Sequence, residues 1–264
     1  MTAAFCQFRA FTRRDFVVDF TYRLSFAIGA IDAIGAVGAH YLLSTIIGIQ
    51  PGGYTPFAFI LTGLVMNSAM STALACYAQS VRESQQSATL SLLVVSPLSA
   101  RRLIVLSSAY PLLRASIEAM LFLSVGLALG LGLRGANLAG AVVVFLLALA
   151  AFSAVGILSA ACIVVWKRGD PIPWLIGAAS WLFGGVFFPI DRLPESLQVL
   201  SRFLPITYAL EALRPALLQS ISLGEVLGRA LPLAIFTACV VPLSLLAFDR
   251  AIDRARVEGT LRQY

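Results

Sequence analysis

The chain has 264 residues, of which 59% are hydrophobic and only 12% charged, with a formal net charge of +6. A soluble domain carries about 25% charged residues, so the composition excludes an ordinary soluble protein, and a mean hydropathy of +0.89 points to one embedded in a membrane. The basic excess is spread along the connections rather than gathered on one soluble face, which argues against a nucleic-acid surface.

Residues 1–23 read as an amphipathic helix lying on the membrane. Phe5, Phe8, Phe11, Phe16 and Phe20 supply a lipid side and the interspersed arginines a headgroup side. Those charges interrupt any apolar core, so a cleavable signal peptide is not expected there. Six apolar runs follow, at 24–49, 57–79, 104–133, 138–166, 172–190 and 228–248. They are too long for barrel strands and do not alternate, so they read as membrane helices. The third and fourth exceed the roughly 20 residues needed to cross, so tilt or extension is expected.

The positive-inside rule orients these spans. With the N-terminus inside, Arg9, Arg13, Arg14, Arg23, Arg82, Arg101, Arg102, Lys167, Arg168, Arg250, Arg254, Arg256 and Arg262 face the cytoplasm. Only Arg134, Arg192, Arg202, Arg214 and Arg229 fall outside, and Arg114 lies within the third span. The expectation is therefore one all-α, multi-pass domain over 1–264 with both termini cytoplasmic. Two connections are long enough to hold structure. Ser80 to Leu103 is cytoplasmic, rich in helix formers and stopped by Pro97; Phe188 to Gly228 is external.

Four ionisable residues lie within spans: Asp32 and His40 in the first, Arg114 and Glu118 in the third. Burying such groups in hydrocarbon costs about 2.5–3.5 kcal/mol on insertion scales, which makes them functional candidates. Arg114 and Glu118 are four apart and within pairing distance on one helix. Asp32 and Arg114 sit at similar depth, so an interhelical pair is a further arrangement. These charges either pair structurally or line a polar path, and His40 is a helix–helix contact or a proton relay. Gly126 and Gly130 form a GxxxG pattern that permits close helix approach.

Several chemistries are missing. The single lysine, Lys167, lacks the glycines of a phosphate loop. One histidine, His40, cannot build a two-histidine zinc motif, and no GxSxG serine accompanies it. The aspartates are scattered rather than clustered for Mg²⁺. Cys6, Cys76, Cys162 and Cys239 are too dispersed for metal spacing, and none lies in an external loop, so a disulfide framework is not expected. No catalytic residue, cofactor or metal is expected in this chain.

The most distinctive stretch is Val186 to Tyr208, VFFPIDRLPESLQVLSRFLPITY. Pro189, Pro194 and Pro205 divide it, each removing a backbone donor. Leu193, Leu197, Leu200 and Leu204 recur at steps of three or four, giving short helices one apolar stripe. Such a segment is expected at the membrane surface or dipping back in. Trp181, Phe183, Phe187, Phe188 and Tyr208 form either a gate or an interfacial belt.

The Phe-Phe-Pro, Leu-Pro, Leu-x-x-Leu and Pro-x-x-Tyr pattern ahead of the last span resembles the type-2 ATP-binding-cassette (ABC) permease family. Glu83, Thr89, Leu90 and the turn Val95-Ser96-Pro97-Leu98-Ser99 are similar to that family's cytoplasmic loop, and Leu213-Arg214-Pro215 fits several members. The resemblance implies a half-exporter that pairs with a second permease subunit, as a homodimer, and docks two separate ATPase subunits, which hold the ATP and Mg²⁺. It makes Arg82 to Ser96, including Arg82, Glu83, Thr89, Leu90 and Ser96, the coupling helix, and residues 1–23 an elbow on the same ATPase. Phe187, Phe188, Pro189, Leu193, Pro194, Pro205 and Tyr208 become parts of external re-entrant helices. It implies the bacterial inner membrane and a hydrophobic or amphipathic cargo such as a drug, lipid or lipid-linked glycan. The start of the chain lacks the polysaccharide branch's basic-tyrosine run. The rivals are an ion-gradient carrier using Asp32 or Glu118, and a non-transport assembly or sensor protein of the same fold.

Overall fold

A computed structural model describes residues 23–46, 53–86, 100–133, 135–166 and 171–257. The expected surface helix at residues 1–22 and positions 87–99 of the connection expected to be cytoplasmic lie outside the described residues. Among the described residues the chain is helical throughout, with no strand. The helices are α1 (Arg23–Ile46), α2 (Pro56–Gln86), α3 (Ala100–Ser107), α4 (Ala109–Ala128), α5 (Leu138–Trp166), α6 (Pro171–Phe183), α7 (Glu195–Ser201), α8 (Pro205–Leu218) and α9 (Leu223–Val257), with one 3₁₀ turn at Ile190–Arg192.

Four segments are long and apolar enough to cross a membrane: Pro56–Glu83, Ile104–Ala128, Leu138–Val165 and Leu223–Ala255. Two shorter apolar helices, Ile31–Ile46 and Ile172–Phe183, accompany them. The most apolar stretch of α2 is 83% buried and that of α9 only 22%, which places α2 at the centre of the bundle and α9 at its rim. Accordingly Leu227, Leu231, Ile235, Leu243 and Leu246 of α9 point outward, where lipid tails solvate them at no hydrophobic cost. Gly156 lets α5 lie directly on α2, because a Cβ there would press on the Ala73 carbonyl and the Tyr77 ring.

The third apolar run is not one helix to 133. Pro111 has no N–H for the Ser107 carbonyl, and the helix breaks to a turn at Ser108 before resuming with Leu112 N donating to Ser108 O. It stops at Ala128. Gly130 adopts φ +96°, its N–H donates to Leu127 O, and Leu131 N donates to Gly126 O at 2.9 Å. That pair of bonds is a Schellman cap, which needs a left-handed residue and so a glycine. Gly130 therefore terminates the helix, and of the two GxxxG glycines only Gly126 meets another helix among the described residues. Gly126 stays helical and receives Leu61 of α2.

The fifth run also ends early. α6 closes at Phe183, Gly184 N donates to Ser180 O, and Gly185 turns with φ +75°. Its 13 residues span about 20 Å at 1.5 Å each. The rest of the expected span, to 190, instead leads into a cap of short elements. Pro189 precedes the 3₁₀ turn, Pro194 precedes α7 and Pro205 opens α8. Proline suits a helix start because its missing N–H has no intrahelical partner there. Tyr208 Oη donates to Arg202 O at 2.7 Å and pins the α7–α8 turn. Of the leucine stripe, Leu204 is buried, Leu193 and Leu197 are half-buried, and Leu200 is exposed.

The two ends of the bundle are distinct. At one end Asn137 N donates to Ala216 O at 2.7 Å, tying the start of α5 to the cap. At the other, Tyr77, Val81, Ile104, Ile163, Val164, Phe248 and Ile252 close a separate apolar cluster.

Candidate functional site

α8 is amphipathic in an unusual way. Ile206, Leu210, Leu213 and Leu217 are all nearly inaccessible, and Arg214 lies on the same face, four residues after Leu210 and three before Leu217. The guanidinium is thereby carried into the packed interior, where it must find acceptors or cost several kcal/mol.

It finds four. Arg214 Nε donates to Thr62 Oγ1 at 3.2 Å, and Nη2 donates to Phe59 O at 3.1 Å, Gly185 O at 2.8 Å and Val186 O at 3.2 Å. Nη2 has only two hydrogens, so the three carbonyls share them. The guanidinium carbon also sits 3.4 Å above the Phe59 ring centre, a cation–π geometry. One side chain thus ties α8 to α2 and to the bend after α6. Gly63 makes the arrangement possible, since a Cβ there would collide with the Val186 carbonyl. Burial pulls the Arg214 pKa down to about 9, with Tyr54 and Glu211 opposing the fall. It remains a cation at neutral pH.

Beside this knot lies a cleft of about 440 Å³ bordered by Tyr54, Asp191, Thr207, Glu211, Arg214 and Arg229, among others. Asp191, Glu211 and Arg229 are exposed, whereas Thr207 is 3% exposed and its hydroxyl has no hydrogen-bond partner among the described residues. Burial and the neighbouring Asp191 push the Glu211 carboxyl up, against Arg202, Arg214 and Arg229. Burial likewise raises Tyr54, against Arg214 and Arg229. Among the described residues no three His, Cys, Asp or Glu side chains converge as a metal site would require.

The residues singled out by sequence fall into three places. Phe187 is sandwiched between His40 and Trp181, with ring centroids 5.8 and 4.7 Å away, so it links α1, α6 and the bend. His40 donates Nδ1–H to Ala36 O at 2.7 Å, one turn back in its own helix. Phe188 is 37% exposed. Pro189 borders the cleft, and Leu193, Pro194, Pro205 and Tyr208 shape the cap above.

The intramembrane charges lie elsewhere. Glu118 of α4 accepts a hydrogen bond from Ser68 Oγ of α2 at 2.7 Å. Arg114 reaches α1, where its Nη2 is 3.6 Å from the position a Cβ would take on Gly29. Asp32, one turn after Gly29, is exposed on the bundle surface. Arg82 and Glu83 continue α2 without a break, and Glu83 accepts from Gln79 Nε2 at 2.9 Å. Thr89, Leu90 and Ser96 lie outside the described residues. Cys76 and Cys239 are free thiols.

Reading the sequence placed Arg214 among loop charges and missed its burial. The available signal was an arginine in register with Leu210 and Leu217 on a helix opened by proline. Compared with known families, the chain matches the ABC-2 type transporter family over residues 7–218. Comparison with curated proteins finds no matching relative.

Proposed function

Because the chain belongs to the ABC-2 type transporter family and is a multi-pass transmembrane permease, we propose that it is the membrane subunit of an ATP-driven exporter. In this reading it moves a hydrophobic or amphipathic molecule, such as a drug, lipid or lipid-linked glycan, outward across a bacterial inner membrane. Two ATPase subunits supply the work and bind the ATP and Mg²⁺.

One observation carries the reading. α2 runs unbroken for 31 residues, and the stretch from Phe59 and Thr62, which hold Arg214, to Arg82 and Glu83 near the far end covers about 36 Å at 1.5 Å per residue. A push on that far end therefore reaches the cap through a single rod. The arginine distribution makes the Arg82 end cytoplasmic and the cap external, with α1 and α6 completing six crossings. ATP-driven closure of the ATPases then shifts an inward–outward equilibrium of the bundle.

A second copy of the chain fits this scheme. Asp32 is exposed on α1 between Ile28, Ile31 and Ile34, which are also exposed. A carboxylate on a lipid-facing surface is costly, so a partner subunit or a polar pathway between subunits is its natural neighbour. Arg114 reaches α1 at Gly29, one turn before Asp32, and Phe187 and Phe188 serve as gate residues at the outer side.

The test is co-purification and vesicle transport. An ATPase is expected to accompany the chain, and vanadate to stop efflux. Charge reversal at Arg82→Glu with Glu83→Arg is expected to leave insertion normal while uncoupling ATP hydrolysis from transport. Unaltered coupling would remove these residues from the ATPase contact; proton-driven movement without any ATPase would replace the whole reading with a gradient carrier.

A further inference from the structure

The cleft beside Arg214 has properties that a mechanical cap does not need. It contains two guanidinium groups, Arg214 and Arg229, and two carboxylates, Asp191 and Glu211, in about 440 Å³. That volume lies within the roughly 300–1,000 Å³ of small-molecule sites. Thr207 borders the same space, and its buried hydroxyl has no partner among the described residues. Such a group costs free energy unless something bonds to it. Arg214 lines the cleft too, and its Nη1 takes no part in the four bonds that fix Nε and Nη2.

We propose that this cleft binds a phosphate–ammonium zwitterion, the chemistry of a phosphoethanolamine-type group. Arg229, Arg214 and the Thr207 hydroxyl hold the phosphate, and Asp191 with Glu211 holds the ammonium. The charge inventory selects this class. A simple anion would meet two carboxylates, and a simple cation would meet two guanidinium groups. A neutral sugar would displace water from the exposed Asp191, Glu211 and Arg229 without supplying a charge in its place. A zwitterion gives each sign its counterpart and the stranded hydroxyl its acceptor.

Two sources carry this chemistry, a phospholipid headgroup and a soluble phosphodiester. The surroundings bear on the choice, because Thr62 also lines an apolar groove of about 190 Å³ with Met120, Leu123, Phe145 and Leu213. The Arg214–Thr62 bond therefore divides a polar cleft from an apolar groove, a layout that accommodates an amphiphile. The inference requires only the folded chain and does not rest on ATP-driven export, so failed transport leaves it standing.

The experiment is calorimetric titration of the full chain in neutral detergent with five probes. These are glycerophosphoethanolamine, dihexanoyl-phosphatidylethanolamine, inorganic phosphate, ethanolamine and a disaccharide. Both zwitterions are expected to bind, with phosphate and ethanolamine at least about tenfold weaker, the loss of one charge-assisted contact. Arg229→Gln and Asp191→Asn, both on the exposed rim and so harmless to folding, are each expected to weaken the zwitterions by roughly tenfold. Equal affinity for the two zwitterions identifies a soluble group as sufficient; tighter binding of the short-chain lipid identifies a membrane source. The proposal falls if phosphate alone binds as tightly as the zwitterions, if the disaccharide binds best, if neither zwitterion binds, or if both variants bind as the wild type does.

Discussion

Replacing Arg214 tests the knot and also tests which force dominates within it. Burial lowers its pKa from 12.5 to about 9, which corresponds to roughly 5 kcal/mol of resistance to burying the charge. Arg214→Met keeps an unbranched side chain and removes both the charge and the donors. The Gly185 and Val186 carbonyls, in a bend rather than a helix, then lose their donor at about 1–3 kcal/mol each. The bonds to Thr62 and Phe59 and the stacking on the Phe59 ring add about 1 kcal/mol apiece. Losses of roughly 5–9 kcal/mol against relief of about 5 leave a net destabilisation of up to about 4 kcal/mol, about 2 at the middle of that range. Arg214→Lys fares worse, because an ammonium keeps the desolvation cost yet cannot present the planar fork that reaches two elements at once.

The assay is thermal unfolding of the purified chain in detergent. Arg214→Met is expected to lower the apparent melting temperature by about 4–8 °C, taking the mid-range value of about 2 kcal/mol at roughly 2–4 °C per kcal/mol for a chain of this size, and Arg214→Lys to lower it further. Global melting of a helical bundle need not be two-state, so a local readout accompanies it. A cysteine at Val186, in a background without the native cysteines, is expected to label faster with a water-soluble maleimide in both variants as the bend leaves α2. Arg214→Lys as stable as Arg214→Met, or labelling unchanged in both, would refute the reasoning.

Gly63→Ala places a methyl against the Val186 carbonyl and is expected to cost about 1–3 kcal/mol. Combined with Arg214→Met it should cost less than the sum, since both release the same bend; melting of the double variant checks this. Gly130→Ala forces a Cβ into φ +96° and is expected to destabilise by about 1 kcal/mol, read as lower thermal stability without altered membrane insertion. Glu211→Gln removes a carboxyl whose folded pKa lies above its ordinary 4.5 because of burial and Asp191, despite Arg202, Arg214 and Arg229. Such a group favours the fold below its unfolded pKa and loses that contribution as pH rises through the folded value. The variant should therefore melt higher than wild type near pH 8, with the advantage gone near pH 4. An equal offset at both pH values would assign the effect to packing.

The sequence revealed what depends on local chemistry. Apolar run length marked the long helices, and Pro189, Pro194 and Pro205 marked where the cap divides, because each acts on its own backbone. The breaks at Pro111, Gly130 and Gly184-Gly185 were locally encoded too. They were overlooked because a hydropathy window averages over a single residue that removes a donor or reverses φ. Arg214 was illegible for another reason. Its four acceptors come from Phe59, Thr62, Gly185 and Val186, up to 155 positions away in sequence, and no local pattern reports such a meeting. The Asp191–Glu211–Arg229 cleft is illegible in the same way, since it exists only once α8, α9 and the 3₁₀ turn converge.

Under the proposed coupling, the route by which movement would reach the cap follows from which helices can transmit force. α9 is the longest, at 35 residues, but contains Pro232 and Pro242. Each removes one backbone bond and permits a kink, and the outward faces of α9 meet lipid instead of a packed neighbour. α4 is cut from α3 at Ser108. α2 has proline only at its first position, is the most buried of the four long helices, and lies in direct backbone contact with α5 at Gly156. A displacement at Glu83 is thus carried by a rod that cannot bend without opening the α2–α5 contact, and it arrives where Phe59 and Thr62 grip Arg214. α9, hinged at its prolines, yields instead. Straightening it by Pro232→Ala and Pro242→Ala is therefore expected to slow any cap movement while leaving the Arg214 bonds in place.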